Sequence, residues 1–230
     1  MLTKNNVAHC DPDISADDIA GYAVSSRWLN AQTGVEWVCT DTTTGVAKWR
    51  PVAVGYGWPS GTYRVPEYIT ALGDSQPTAN TAIYLPILVR ETTTVDKIGL
   101  SLVTAQAGAK ARLAIYHGVG GLPGYLRTDF GELDLSAGSG LLTISTGITV
   151  NPGLYFLAAV FNAAGTMPTV KRISGATLGA VIGGSAADLT GGNAGRYYSA
   201  AMTYAAWPST APAVAMATGT DGAAICLRKQ

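Results

Sequence analysis

ARLAIYHGVGGLPGYLRTDFGELDLSAGSGLLTISTGITVNPGLYFLAAVF, residues 111–161, is a run of period-two segments divided by glycine and proline. Leu113 and Ile115 alternate with Arg112, Ala114 and Tyr116, the pattern of a pleated strand with one buried face. Gly118, Gly120, Gly121, Pro123 and Gly124 then supply the positive φ angles and the fixed φ of a chain reversal, and they would break a helix. Leu133 and Leu135 oppose Glu132 and Asp134, and Leu142 and Ile144 oppose Thr143 and Ser145, so two more half-buried strands follow. Leu154 to Phe161 is apolar on both faces. A strand without a polar face belongs inside a sheet sandwich, so the core is expected to close around Tyr155 to Val160.

The rhythm continues outward in both directions. Ile83, Leu85 and Ile87 form one strand face, and Ile98, Leu100 and Leu102 another. After Phe161, the stretches Val170 to Ile173, Leu178 to Ile182, Tyr197 to Tyr204, Val214 to Met216 and Ala223 to Leu227 read as short strands, joined by loops such as Gly191-Gly192-Asn193. About eight to ten short strands with turn signals between them are what a jelly roll or similar sandwich requires. Upstream, Trp28, then Val35, Trp37 and Cys39, then Ala47 and Trp49 occupy alternate positions of three short strands, divided by Thr33-Gly34 and Thr44-Gly45. Pro51, Gly55, Gly57, Pro59 and Gly61 punctuate a linker, in which Trp58 is expected to pack on a flanking unit. The expected fold is all-β: a small N-terminal β-meander over 1–50, a linker over 51–63, and a jelly-roll-like antiparallel β-sandwich over 64–230.

Composition narrows the partners. Charged residues are 13% of the 230, about half the usual quarter, and mean hydropathy is +0.20. Either Thr, Ser and Gly keep such a surface in water, or copies of the chain or a larger assembly cover it, and the positive hydropathy fits the second better. Three tryptophans in so short a meander are a large apolar load for a segment that seldom makes its own core. Trp28, Trp37 and Trp49 are therefore expected to form a docking or oligomer interface. Zero net charge and the lack of any basic run argue against nucleic acid as partner. No apolar run approaches the eighteen or so residues of a membrane helix, so no membrane insertion is expected. MLTKNNVAHCDPD lacks the hydrophobic region of a signal peptide, and synthesis and folding in a cytosol are expected. Cys10, Cys39 and Cys226 are odd in number and form no C-x-x-C pair, which reads as reduced thiols.

Two groups of residues carry a resemblance. Arg112-Leu-Ala-Ile-Tyr, Gly121-Leu-Pro-Gly, Gly131-Glu-Leu-Asp-Leu-Ser and Pro152-Gly-Leu-Tyr-Phe-Leu-Ala, in that order, resemble the β-sandwich domains at the ends of bacteriophage and prophage fibre and spike proteins. Asp17, Asp18, Gly21, Tyr22, Arg27, Trp28, Asn30, Gly34, Val38, Cys39, Thr40, Asp41 and Trp49 are similar to a small module that recurs near the N-termini of phage virion proteins. The resemblance implies a homotrimer in the virion, made in the host cytoplasm, attached to other virion proteins at its N-terminal end and displaying the sandwich outward.

The residues offer little for catalysis. Gly73-Asp74-Ser75 resembles the nucleophile block of GDSL-type esterases, but neither His9 nor His117 has an aspartate three residues before it. No Gly-x-Ser-x-Gly elbow occurs, and Gly118 to Gly124 fails the dinucleotide fingerprint because Pro123 stands at the third glycine position. Glu132 and Asp134 share a strand face about 7 Å apart by the pleat repeat, a spacing an inverting glycosidase could use and any half-exposed acidic strand produces. Asp11, Asp13, Asp17 and Asp18 suggest a calcium loop, but Ala16 stands where its glycine belongs; Ser15 as the N-cap of one helical turn is the plainer reading. Two histidines give no metal constellation, and no cofactor is expected.

What remains is binding. Sugars are met by aromatic rings flanked by polar side chains, and Arg196, Tyr197, Tyr198, Tyr204 and Trp207, with Asn193 nearby, form the densest such cluster. Adjacent tyrosines point opposite ways, so one of Tyr197 and Tyr198 should turn inward, and Trp207 before Pro208 can equally plug an edge. The expected function is that of a non-enzymatic virion protein, a tail or head fibre or spike subunit attaching to host-surface glycans. The alternative is a capsid decoration or collar protein that binds only other virion proteins.

Overall fold

Sixteen strands and no helix make up the regular structure of the residues that the computed structural model describes: 3–32, 36–52, 58–66, 71–174, 197–217 and 222–230. The expected fold class is what the structure shows: all-β, with antiparallel sheets packed as a sandwich. The chain divides into two compact units, residues 1–57 and 58–230.

In the first unit, β1 (Asn5–Ala8), β2 (Arg27–Asn30), β3 (Glu36–Asp41) and β4 (Lys48–Pro51) form one sheet in that order. The three antiparallel strands of the meander are joined by β1, which pairs parallel to β2 from Asn5↔Arg27 to Ala8↔Asn30. A parallel neighbour needs a crossover, here the residues between Ala8 and Arg27. Ser15 does not cap a helix. Asp17, buried, ties the crossover instead: its carboxylate accepts from the backbone N–H groups of Ile19 and Ala20 at 3.0 and 3.1 Å and from Gly45 at 2.8 Å. Thr33, Gly34 and Val35 lie outside the described residues.

The second unit contains β5 (Tyr63–Arg64), β6 (Ala71–Ser75), β7 (Thr81–Val89), β8 (Thr93–Thr104), β9 (Lys110–Val119), β10 (Leu122–Asp134), β11 (Gly140–Val150), β12 (Gly153–Phe161), β13 (Thr169–Ser174), β14 (Tyr197–Ala201), β15 (Ala215–Ala217) and β16 (Ile225–Lys229). One sheet runs β10-β9-β12-β7-β14-β15 and the other β5-β16-β8-β13-β6, with β11 also paired to β8. From β10 to β14 each strand crosses to the opposite sheet, so every hydrophobic run contributes to one shared interior. Residues 58–63, expected in the linker, belong to this unit: Trp58 is buried in its core, and Tyr63–Arg64 pairs with β16. The stretch Leu178 to Ile182 and the loop Gly191-Gly192-Asn193 lie outside the described residues.

The alternation places the core as the sequence suggests. Ile83, Leu85 and Ile87 of β7, Ile98, Leu100 and Leu102 of β8, Leu113 and Ile115 of β9, and Tyr155, Leu157 and Phe161 of β12 meet between the sheets. Each fully buried side chain of this size contributes about 1.5–3 kcal/mol of transfer free energy. The reversal after β9 is a two-residue hairpin loop: Val119 pairs with Leu122, and Gly120 and Gly121 between them have φ of 58° and 82°. Positive φ at both central residues is the type I′ requirement that glycine meets without strain.

One expectation changes. Strand β9 is buried on both faces, because Ala114 and Tyr116 join Tyr84, Phe156, Ala158, Val160, Tyr198 and Trp207 in a second hydrophobic cluster on the outer side of the same sheet. Residues 202–214 lie over that side: Leu126 N–H donates to Ser209 O at 2.9 Å, Ala211 N–H to Gly124 O at 2.8 Å, and the Tyr116 hydroxyl to Pro208 O at 2.7 Å.

Candidate functional site

The first unit is built on its tryptophans. Cross-strand pairing sets Trp28 against Trp37 and Cys39 against Trp49, so all four share one face of the sheet. The crossover from β1 to β2 returns over that face and takes all three indole N–H groups. Trp28 Nε1 donates to Cys10 O at 2.8 Å, Trp37 Nε1 to Asp11 Oδ1 at 3.1 Å, and Trp49 Nε1 to Ala16 O at 3.0 Å. Buried Tyr22 stands 5.2 Å from Trp49 and 5.8 Å from Trp28, ring centre to ring centre. The Lys4 ammonium sits 4.4 Å above its ring. The chain's own residues 10–22 take these N–H groups and leave Trp28, Trp37 and Trp49 half-buried. The large apolar side chains that do face solvent are Val7, Leu29 and Val52 on the opposite side of the sheet, and Ile14, Ile19, Val24 and Val46 on the connecting segments.

Beside the crossover, where it passes β3 and β4, lies a groove of about 510 Å³ whose lining includes Pro12, Asp13, Trp37, Lys48, Trp49 and Arg50. Asp13 Oδ1 accepts from Ser15 N–H and Oγ at 2.8 and 2.6 Å, which hold its carboxyl below the usual range. Lys48 pairs with Asp41 at 3.2 Å. Arg50 is exposed and has no hydrogen bond or ion pair among the described residues.

The aromatic cluster expected to meet sugars is not a surface. Tyr197 points into the core between the sheets, while Tyr198 and Trp207 are buried in the outer cluster. There Trp207 lies 6.0 Å from Tyr84 and 5.8 Å from Tyr116, and Tyr198 lies 5.9 Å from Phe156. Tyr204 is half-buried, with its hydroxyl donating to Glu132 Oε2 at 2.8 Å. Asn193 and Arg196 lie outside the described residues. The physical reason is the double cover of this sheet: both members of an adjacent pair on a central strand find an interior. The signal was present in the two apolar faces of Leu154 to Phe161, which demand a second covering layer.

Two carboxylates of β10 are held in the ionised form. Glu132 receives Lys110 Nζ at 2.6 Å on Oε1 and Tyr204 on Oε2, and these donors pull its carboxyl below the usual range. Ser136 does the same to Asp134. Neither is raised, as the general acid of a glycosidase must be. Asp74 of the Gly73-Asp74-Ser75 segment pairs with Lys171 at 2.6 Å, and the His117 ring packs 5.1 Å from that of Tyr155. Among the described residues no three His, Cys, Asp or Glu side chains group as metal ligands.

These features define a two-unit all-β protein: a tryptophan-centred four-stranded sheet and an antiparallel sandwich. No family model and no curated protein matches it. Among solved structures, a chain of "Structure of infectious bursal disease virus Gt strain" is 18% identical with a TM-score of 0.32, the match covering 61% of this chain and 41% of that one. A likeness at that score carries no argument about role.

Proposed function

We propose that the chain is a non-enzymatic structural protein of a virus particle, a fibre or spike subunit of the bacteriophage kind. It works as a homo-oligomer, with a trimer favoured, and meets other virion proteins through residues 1–57. The observation that carries this reading is the distribution of uncovered apolar surface. Of thirteen large apolar side chains exposed among the described residues, seven lie in the first unit, which is a quarter of the chain. Val7 and Leu29 pair across β1 and β2 on the sheet face that the tryptophans leave free, with Val38 half-buried beside them. Arg27, Glu36 and Arg50 share that face, so the apolar pair is a small patch, and contact between copies is a common way to cover one. The low charge of the chain points the same way. Sedimentation equilibrium of the full chain tests the reading. The wild type should be oligomeric and Val7→Lys/Leu29→Lys monomeric with an unchanged circular dichroism spectrum; a monomeric wild type would overturn it. Mass spectrometry of gradient-purified particles from a producing culture tests the location.

One observation favours the alternative of a decoration or collar protein. With Tyr198 and Trp207 inside, the sandwich lacks the aromatic surface that glycan attachment was expected to use there. Particles lacking the chain would then adsorb to host cells as well as complete ones.

A further inference from the structure

We infer that the tip of the β9–β10 hairpin in the second unit is a contact for an anionic phospholipid bilayer, entering the surface from one side without spanning it. This goes beyond the proposed role and does not depend on it. Of the six large apolar side chains that the second unit exposes among the described residues, three fall within residues 119–125: Val119, Leu122 and Tyr125, which are 52, 46 and 62% exposed. Val119 and Leu122 are cross-strand partners on either side of Gly120-Gly121, so their side chains stand together on one face. Beyond the Tyr155↔His117 pair no strand but β10 is paired with β9, so the hairpin ends as a two-strand tip. No Asp, Glu, Lys or Arg occurs from Leu113 to Leu126, so no formal charge has to leave water when the tip enters the surface. Tyr125, set back from the turn, suits the headgroup level, where an aromatic side chain is apolar at one end and wet at the other.

Charge and size both favour a bilayer over a protein as the occupant. Arg127, two residues after Tyr125, is exposed; its guanidinium donates to Thr149 O at 3.1 Å and has no carboxylate partner among the described residues. Thr149 lies at the end of β11, and counting back from the antiparallel Tyr155↔His117 pair brings the β11–β12 turn that follows it level with Gly120-Gly121. The cation therefore stands at the tip's end of the sandwich, and a phosphate is an anion that its remaining N–H groups fit. The elements that adjoin the tip supply no competing carboxylate. The start of β12 is uncharged, as are residues 209–211, which are bonded to Gly124 and Leu126, and Glu91 after β7 is answered by Lys229 at 2.8 Å. A stable protein interface draws on about twenty to thirty residues a side, far more than this patch offers. A bilayer asks only for a narrow, uncharged tip with a cation behind it.

Flotation of the full chain with lipid vesicles tests the contact, one set made of phosphatidylcholine alone and the other of phosphatidylcholine and phosphatidylglycerol in equal parts. The chain should float with the anionic vesicles, less so as sodium chloride is raised, and bind the neutral ones more weakly. Leu122→Asp should weaken that binding about tenfold or more, the loss of a buried aliphatic side chain. Arg127→Gln should weaken it about fivefold, and on the anionic vesicles only. Tyr125→Ser, a change at an exposed side chain, should weaken it with an unchanged circular dichroism spectrum, and it keeps the test open if Leu122→Asp disturbs the turn. Absence of binding to the anionic vesicles, equal binding to both sets, or binding indifferent to Tyr125→Ser and Arg127→Gln would each overturn the inference. So would self-association that Leu122→Asp relieves in a chain that binds no vesicle. None of these results depends on the presence of the chain in a particle.

Discussion

At Gly99 a single hydrogen atom keeps a strand pairing intact. This residue of β8 stands opposite Thr143 of β11 on one edge and Cys226 of β16 on the other. A Cβ built there would lie 2.2 Å from the Leu142 carbonyl oxygen and 2.9 Å from Thr143 Cγ2. The first of those atoms is backbone in a paired ladder and cannot swing aside. Gly99→Ala should therefore destabilise the sandwich by about 1–3 kcal/mol, the usual penalty of overpacking. Urea denaturation checks it: the midpoint should fall with the slope unchanged, and an unchanged midpoint would contradict the geometry. The sequence around Gly99 marks Ile98 and Leu100 as a core face, and a glycine inside a strand hints at a close approach. Which backbone comes close is settled only by β11, a pairing that no local pattern contains.

Among the elements, the segment 202–214 decides how the sandwich sheet is finished. It has almost no regular structure, yet it covers the outer side of β7, β9, β12 and β14 with Trp207 at its centre. Its fastenings are polar: Asp129 Oδ2 accepts from Trp207 N–H at 3.1 Å and from Arg112 at 3.0 Å, and Asn80 accepts Met202 and Tyr204 N–H groups. Trp207→Ala should cost about 3–5 kcal/mol, as large aromatic deletions in cores do. A protein that bound sugars through an exposed Trp207 would lose ligand and keep its stability. Thermal or denaturant unfolding of the variant separates the two outcomes. The strands around it were legible because period-two alternation is a local property: Leu133 and Leu135 are buried and the neighbouring acids are not. The covering segment was not legible, because an irregular stretch with two prolines has no period to read, and its aromatic residues look the same whether they face water or a sheet. The same ambiguity governs the N-terminal tryptophans. Their shared face is readable from spacing, whereas nothing in the Cys10 to Ala16 stretch signals that its carbonyls and the Asp11 carboxylate take the indole N–H groups.

Over the whole molecule, two units with separate cores rest on different physics. The sandwich buries a continuous interior contributed by both sheets, with depressed carboxylates such as Glu91, Asp96, Glu132 and Asp134 paired around its surface. The first unit has a few aromatic contacts and depends on aspartates that fold its connections. Asp17 is held below the usual range chiefly by the Gly45 N–H and then by Ala20. Asp41 is lowered to about 2, chiefly by the Thr43 hydroxyl and then by the Thr43 N–H and Lys48. A carboxyl whose folded value is depressed stabilises the fold fully above its unfolded value, here 3.8, and that contribution is lost as pH falls through the folded value. Acid should therefore weaken the first unit first, between about pH 4 and pH 2, while the larger core keeps the sandwich folded. Tryptophan emission can follow this in a Trp58→Phe/Trp207→Phe variant, where only Trp28, Trp37 and Trp49 remain, with far-ultraviolet circular dichroism reporting on the strands of both units. Emission should shift to longer wavelength in that window with most of the dichroism retained, and Asp17→Asn should move the shift to higher pH. Coincident loss of both signals would show instead that the two units share one cooperative fold.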